Sequence, residues 1–384
     1  MMEAYIIGGV RTPIGKTNGY LKSFLPEQLA GLVLNDLLAR YGLSPESIDQ
    51  VLLGNAVGPG GNIARVSVLA AGWPYSIPGI TVDSQCGSGL SAIQLAVSQI
   101  AAGQAELIIA GGVESTSMAP RRQFNQNDPR FQGDTVYYES APFSTPEVGD
   151  PGIGQAAENL AEKLAISRED MDLLALESHK KAFVAQQQGL LRDIIHSIRT
   201  EEKEITDDEC IRKHMSLALL KRMPPAFMPG GRITAGNSCL KHDGAAVLLL
   251  ASEAAAKKYN LAPQAVIRQV VSCGCDPNLF PLGPVYAVQK LIARSGLSLH
   301  DIAALEINEA FAVKILACCR ELDFSLEKTN LLGGALAYGH PYGASGAIIL
   351  LHLLKALQKV QGKFGIASIG AVGGMGNAVL IERC

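Results

Sequence analysis

The sequence predicts an α/β fold of two duplicated halves, with two similar sheets packed around central helices and an insertion between the halves. Three observations predict it. A glycine-containing turn, a long apolar helix and an apolar strand closed by glycine follow one another near each end of the chain. The other strands also pair between the halves. Residues 119–243 differ in texture, with loops rich in Pro and Arg and polar helices. The chain has 384 residues, 48% of them apolar and 18% charged. That suffices for a large core and more than one domain, and argues against disorder.

Residues 4–7 open the first half as an apolar strand, and residues 50–55 form another. Cys86-Gly-Ser-Gly89 leads into a helix over 90–102 that Gly103 ends, and a strand over 105–110 closes at Gly111-Gly112. The second half opens with residues 265–271, and residues 304–308 match 50–55. Gly343-Ala-Ser-Gly346 leads into a helix over 347–360, Gly362 ends it, and a strand over 364–369 closes at Gly370. Both helices are apolar nearly all round, which places them between layers. The insertion carries Arg121, Arg122, Pro142, Pro146 and Pro224-Pro225, with a polar helix over 168–188, and reads as a cover over a site. The expected domains are 1–118 plus 244–262, the insertion 119–243, and 263–384.

Lys and Arg number 33 against 36 Asp and Glu, a formal charge of −3. No basic stripe appears, so nucleic acid is not an expected partner. The apolar helices carry Gln94, His352 and Lys355, which suits burial in protein rather than in a membrane. The N-terminus lacks the pattern of a signal peptide, and the C-terminus is not a peroxisomal address. Eight cysteines show no disulfide framework. Cys273, Cys275, Cys318 and Cys319 lack zinc-ligand spacing, so a reducing cytoplasm and no metal are expected. Two decoys are set aside. Gly9 to Thr17 resembles a phosphate loop but has the wrong glycine spacing and a proline. Gly370 to Gly376 resembles a dinucleotide fingerprint but joins two strands.

Cys86 stands where a strand runs out and a helix begins. Free backbone N–H groups and the helix dipole there favour thiolate, the nucleophilic form. The neighbouring glycines add little bulk, so a substrate carbonyl could approach the backbone. The other reading is a small core residue. Asn308, after the strand 304–307, taken alone reads first as a helix cap. His340 lies at the turn matching that of Cys86 and could polarise or deprotonate a thiol.

Together these segments resemble the thiolase family along nearly the whole chain. The matching stretches are Arg11-Thr-Pro-Ile-Gly-Lys16, Asn62-Ile-Ala-Arg65, Cys86-Gly-Ser-Gly89 and Gly111-Gly-Val-Glu-Ser115. They continue with Thr234-Ala-Gly-Asn237, Asp243-Gly-Ala245, Asn308-Glu-Ala-Phe311, Gly339-His-Pro-Tyr-Gly343 and Gly373-Gly-Met-Gly376. The resemblance implies a layered α-β-α-β-α fold whose insertion covers a coenzyme A channel. Cys86 would carry the acyl group as a thioester. His340 would activate it and, with Asn308 through a water, bind a thioester oxygen. The Cys86 N–H would serve a second oxyanion hole. Arg212, Cys239 and Phe311 would fall on the coenzyme A and substrate side. Acyl-CoA and coenzyme A are the implied partners, with no cofactor, and the assembly a homodimer or homotetramer in fatty acid metabolism.

The sequence departs from the family's pattern in several places, two of them at the final glycine cluster. Thiolases carry a second catalytic cysteine where this chain has Gly370, and a glycine of the second oxyanion hole where it has Val372. That thiol moves the α-carbon proton, and a positioned acid/base typically contributes about 10²–10⁴-fold. The expectation is an acetyl-CoA C-acyltransferase type of enzyme impaired in its Claisen step unless another group substitutes. Cys239 is one possible substitute. The alternatives are thioester hydrolysis or decarboxylative condensation through Cys-His-Asn, and a CoA-ester-binding or scaffolding homologue.

Overall fold

The computed structural model describes residues 2–138, 140–201 and 203–384. Its main strands are β1 (Ala4–Arg11), β2 (Gln50–Gly54), β3 (Gly79–Val82), β4 (Leu107–Glu114) and β5 (His242–Ala251) in the first half. The second half supplies β6 (Ala265–Gly274), β7 (Ile302–Ile307), β8 (Phe364–Ala371) and β9 (Met375–Arg383). Their spatial order is β7-β8-β9-β6-β1-β5-β4-β2-β3. The duplication is explicit in this order. The run β1-β5-β4-β2 is antiparallel, antiparallel, parallel, and so is β6-β9-β8-β7.

The two sheets expected from the sequence are in fact one. β1 pairs antiparallel with β6 through Ala4↔Ile267, Tyr5↔Val266 and Ile6↔Ala265. That join pairs backbone groups that two separate sheets would leave as open edges.

The central helices are α1 (Ser88–Ala101) and α6 (Tyr342–Val360). Between them in sequence lie α2 (Ile153–Lys163), α3 (Arg168–Gln187), α4 (Gly283–Ser295) and α5 (Ala312–Leu322). α1 and α6 pack on each other, and α6 is buried continuously from Gly343 to Leu354. Leu90, Ile93, Ile348, Ile349 and Leu350 share one core between them, each contributing about 1.5–3 kcal/mol by burial. Gln94 of α1 is served inside the protein, its Nε2 donating to Val271 O at 2.8 Å.

Several element ends differ from expectation for one reason. A methyl on Gly346 would fall 2.1 Å from Leu90 N, and one on Gly89 2.4 Å from Gly343 O. These glycines therefore let α1 and α6 touch, and Gly89 faces α6 rather than a substrate. α6 accordingly starts at Tyr342, ahead of the expected residue 347. Gly111 and Gly112 do not close their strand either. β4 runs on to Glu114, and methyls there would lie 2.0 Å from Ala246 O and 1.9 Å from Gly343 O.

Between β4 and β5 the chain leaves the sheet and is tied back to it by a buried ion pair. Arg11, wholly buried on β1, meets both carboxylate oxygens of Asp208 at 2.7 and 2.8 Å. Asp208 also accepts the Ile14 N–H at 2.8 Å. The Arg11-Thr-Pro stretch is thus a clamp on the crossing segment.

Candidate active site

The strand β3 runs out at Val82, and a single tight turn, Gln85–Gly87, carries Cys86 into α1. Gln85 adopts a left-handed conformation with φ +57°. Such strain persists only when neighbours enforce it. Here the Asp83 carboxylate accepts the Gln85 N–H at 2.8 Å, and Ser88 Oγ donates to Gln85 O at 2.5 Å. Asn377 Nδ2 donates to Gly87 O at 3.3 Å from the far side. The sharp turn sets Cys86 at the junction of strand and helix.

Cys86 is half-buried, and burial pushes its thiol up to about 11. Lys314 and a backbone N–H bond pull the other way, while Glu114 and Asp83 add to the rise. The helix start was expected to favour thiolate, but removal from water outweighs it. Cys86 therefore rests as a thiol and needs a base when it reacts.

His340 precedes α6 and is buried, as is Asn308 at the end of β7. Asn308 Nδ2 lies 3.1 Å from His340 Nδ1, and Ser345 Oγ lies 2.5 Å from the same nitrogen. His340 Nε2 and Asn308 Oδ1 are buried with no protein partner. The Ser345 hydroxyl can donate to Nδ1 or accept from it, so Nε2 can take a proton or offer one. Burial holds His340 well below its ordinary value, with Lys314 and His242 adding to the effect, so the ring is neutral near pH 7. His242 sits beneath it, with Nδ1 between Leu240 O at 2.8 Å and the His340 N–H at 3.1 Å.

Two carboxylates hold this geometry. Glu309 accepts from Ser178 Oγ at 2.6 Å, Asn330 Nδ2 at 2.7 Å and the Leu336 N–H at 3.3 Å, fixing the segment before His340. Glu114 accepts the Gly343 N–H at 3.1 Å and the Ala56 N–H at 2.9 Å, fastening the start of α6 to the first half. The turn carrying Cys86 packs on α6, and Tyr342 of α6 meets the His340 ring at 5.1 Å. Cys86, His340 and Asn308 are thus brought into one region from opposite halves.

Gly370 lies on β8, and position 370 has no vacant slot for a side chain. A Cβ there would stand 2.8 Å from Pro284 Cδ and 3.1 Å from Phe280 O. Val372 is buried and lies outside the left-handed region, which is occupied by Gly373 and Gly374 at φ +79° and +76°. A valine is therefore unstrained at 372.

One residue of this region escapes the sequence reading. Lys314, on α5, is wholly buried, and its Nζ donates to Gly370 O at 3.4 Å. It is close enough to Cys86, Cys239 and His340 to shift the ionisation of each. Its signal in the sequence is faint: a lysine three residues after Phe311, in a helix whose neighbours Ala312, Val313 and Ile315 are apolar.

The remaining candidates divide. Cys239 is half-buried, its N–H bonded to Ala310 O at 2.9 Å, and burial pushes its thiol up to about 12. Phe311 is buried and meets Phe227 edge-on at 6.0 Å. Arg212 lines a separate cleft of about 440 Å³ with Lys213, His214, Met215, Leu219 and Met223. Among the described residues no group of His, Cys, Asp and Glu is placed to hold a metal, and no helix is long and apolar enough to cross a membrane.

A family model described as the thiolase N-terminal domain matches residues 4–254, and one described as the thiolase C-terminal domain matches residues 261–383. A relative from Staphylococcus haemolyticus, provisionally named acetyl-CoA C-acetyltransferase VraB, is 40% identical across 100% of this chain and 99% of its own. A relative from Bacillus subtilis, provisionally named acetyl-CoA C-acetyltransferase YhfS, is 41% identical across 99% of both. The crystal structure of the Bacillus anthracis acetyl-CoA acetyltransferase matches with TM-score 0.94 and 37% identity over 100% of this chain and 99% of that one. Human mitochondrial 3-ketoacyl-CoA thiolase in complex with CoA matches at 0.93 and 35%, over 100% and 98%.

Proposed function

This chain belongs to the thiolase family and is an acyltransferase of the acetyl-CoA C-acyltransferase type, and we propose that it works through an acyl-thioester on Cys86. The observation that carries this is the buried Asn308–His340 pair, whose Nε2 has no protein partner beside a cysteine turn packed on the same helix. In the proposed step His340 takes the Cys86 proton as sulfur attacks the thioester carbonyl, and coenzyme A leaves as the acyl group is captured. The Cys86 and Val372 N–H groups steady the oxygen of the tetrahedral intermediate. His340 Nε2, with a water held by Asn308, polarises the thioester oxygen of a second acyl-CoA.

Coenzyme A is then substrate and product, and the chemistry asks for no metal. The Arg212 cleft would take its nucleotide end, because Arg212 and Lys213 there offer positive charge to phosphate. We place the enzyme in the cytoplasm, in fatty acid metabolism, consistent with eight free cysteines. A homodimer or homotetramer is favoured by the edge strand β3, which pairs on one side and exposes Ile80. The domain division 1–118 plus 244–262, 119–243 and 263–384 accompanies this reading.

The absent thiol at 370 favours a second reading, in which acyl-Cys86 is hydrolysed or attacked by a decarboxylating carbanion. The test is CoA-dependent cleavage of acetoacetyl-CoA and a longer 3-ketoacyl-CoA, with Cys86→Ala as control and mass spectrometry of the acyl adduct. Cleavage and adduct lost together in Cys86→Ala support the acyltransferase. An adduct released only by water, or turnover requiring malonyl-CoA, moves the reaction to the second reading. No adduct at all makes the protein a binder of CoA esters or a scaffold.

A further inference from the structure

The carbon–carbon step needs a group that removes a proton from the α-carbon of an acyl-CoA, or returns it. Position 370 holds no thiol and no room for one. The backbone carbonyl at the same position is instead met by an amine. We propose that Lys314 is the acid/base of the carbon–carbon step, its Nζ 3.4 Å from the Gly370 carbonyl and in the Cys86–His340 region. This rests on the acyl-Cys86 reading above.

Three observations converge on it. Lys314 is wholly buried, yet among the described residues no carboxylate lies within ion-pair distance of its Nζ. A buried cation with one long carbonyl contact is poorly solvated, and lysine answers by giving up its proton readily. Burial does lower its ionisation, with the nearby thiols Cys318, Cys86 and Cys239 opposing. Cys239, the other candidate, is pushed up to about 12 and so is a poor acid/base near neutral pH.

In condensation, the neutral Lys314 amine takes a proton from the α-carbon of the second acyl-CoA. The C–H electron pair becomes the enolate, whose oxygen rests on His340 Nε2 and the Asn308 water. That carbon attacks acyl-Cys86, the new C–C bond forms, and the C–S bond breaks to return Cys86, which regains its proton from His340. In cleavage the order reverses. Cys86 attacks the 3-keto carbon, the C2–C3 bond breaks, and the Lys314 ammonium protonates C2. Coenzyme A then enters as its thiolate, its sulfur displaces Cys86, Cys86 regains its proton from His340, and Lys314 is reprotonated by water.

The test follows exchange of acetyl-CoA α-hydrogens in deuterated water alongside acylation of Cys86. Lys314→Met and Lys314→Gln should lose about 10²–10⁴-fold in exchange and thiolysis while acylation stays within about threefold. Exchange within tenfold of wild type, or acylation falling in step with exchange, overturns the proposal. So does exchange lost in Cys239→Ala but retained in Lys314→Met. Wild-type protein that forms no Cys86 adduct refutes the acyl-enzyme reading, and the proposal falls with it. If the variants do not fold, the wild-type pH profile decides. Exchange should level off below the usual lysine range of about 10.4, and a rate still climbing there overturns the assignment.

Discussion

A cysteine placed at position 370 by Gly370→Cys should destabilise this protein without improving its chemistry. The new Cβ would stand 2.8 Å from Pro284 Cδ and 3.1 Å from Phe280 O. Carbon pairs normally rest at about 3.5–4.0 Å, so the start of α4 would have to retreat by roughly 0.7 Å or more. It has little freedom to do so, because Pro284 is a rigid ring and neighbouring Gly283 backs closely onto the main chain of Met375. Overpacking of this kind typically costs about 1–3 kcal/mol. Unfolding entropy is roughly 2.1 cal/mol/K per residue, or about 0.8 kcal/mol/K over 384 residues. The melting temperature should therefore fall by about 1–4 °C. Calorimetry measures that, and acetoacetyl-CoA thiolysis measures the chemistry. An unchanged melting temperature with thiolysis raised tenfold would refute the argument, since position 370 would then be an open slot awaiting its sulfur.

Acylation of Cys86 should be level from pH 8 down to 6.5. Neutral His340 is the base, and its ionisation is held well below the ordinary value, so protonation removes the base only at lower pH. A stopped-flow acylation profile already halved at pH 6.5 would contradict this. Arg11→Met should destabilise by about 3–5 kcal/mol, because Asp208 would remain buried without its cation. Denaturant unfolding checks it, and a loss under 1 kcal/mol would show that the pair is replaceable. Arg212→Ala should raise KM for CoA esters several-fold and leave acyl-Cys86 turnover intact, with the difference shrinking at high salt. A KM unchanged at low salt would remove Arg212 from the binding cleft.

Much of this protein was legible in the order of its residues. The duplicated halves, the turn that carries Cys86 and the turn that carries His340 are written in local patterns, and local patterns form because backbone preferences act over a few residues. Apolar strands, glycine turns and all-round apolar helices keep their identity wherever the chain places them. Glycine's meaning was less legible. Gly111 and Gly112 look like strand ends, but β4 runs through them because Ala246 and Gly343, far away in sequence, press on that backbone. The single continuous sheet likewise depends on β1 meeting β6 across some 260 residues.

The ionisation of the site was decided by tertiary structure alone. The helix start argues for a thiolate at Cys86, yet enclosure by both halves leaves a thiol. Lys314 carries no mark that distinguishes it from a solvated helix lysine, and only the packing of α5 beside β8 buries it against Gly370. Hydrogen-bonding preferences and periodicity are properties of neighbours along the chain. Desolvation is a sum over atoms from everywhere in the fold, so which groups hold protons here could be settled only by the folded structure.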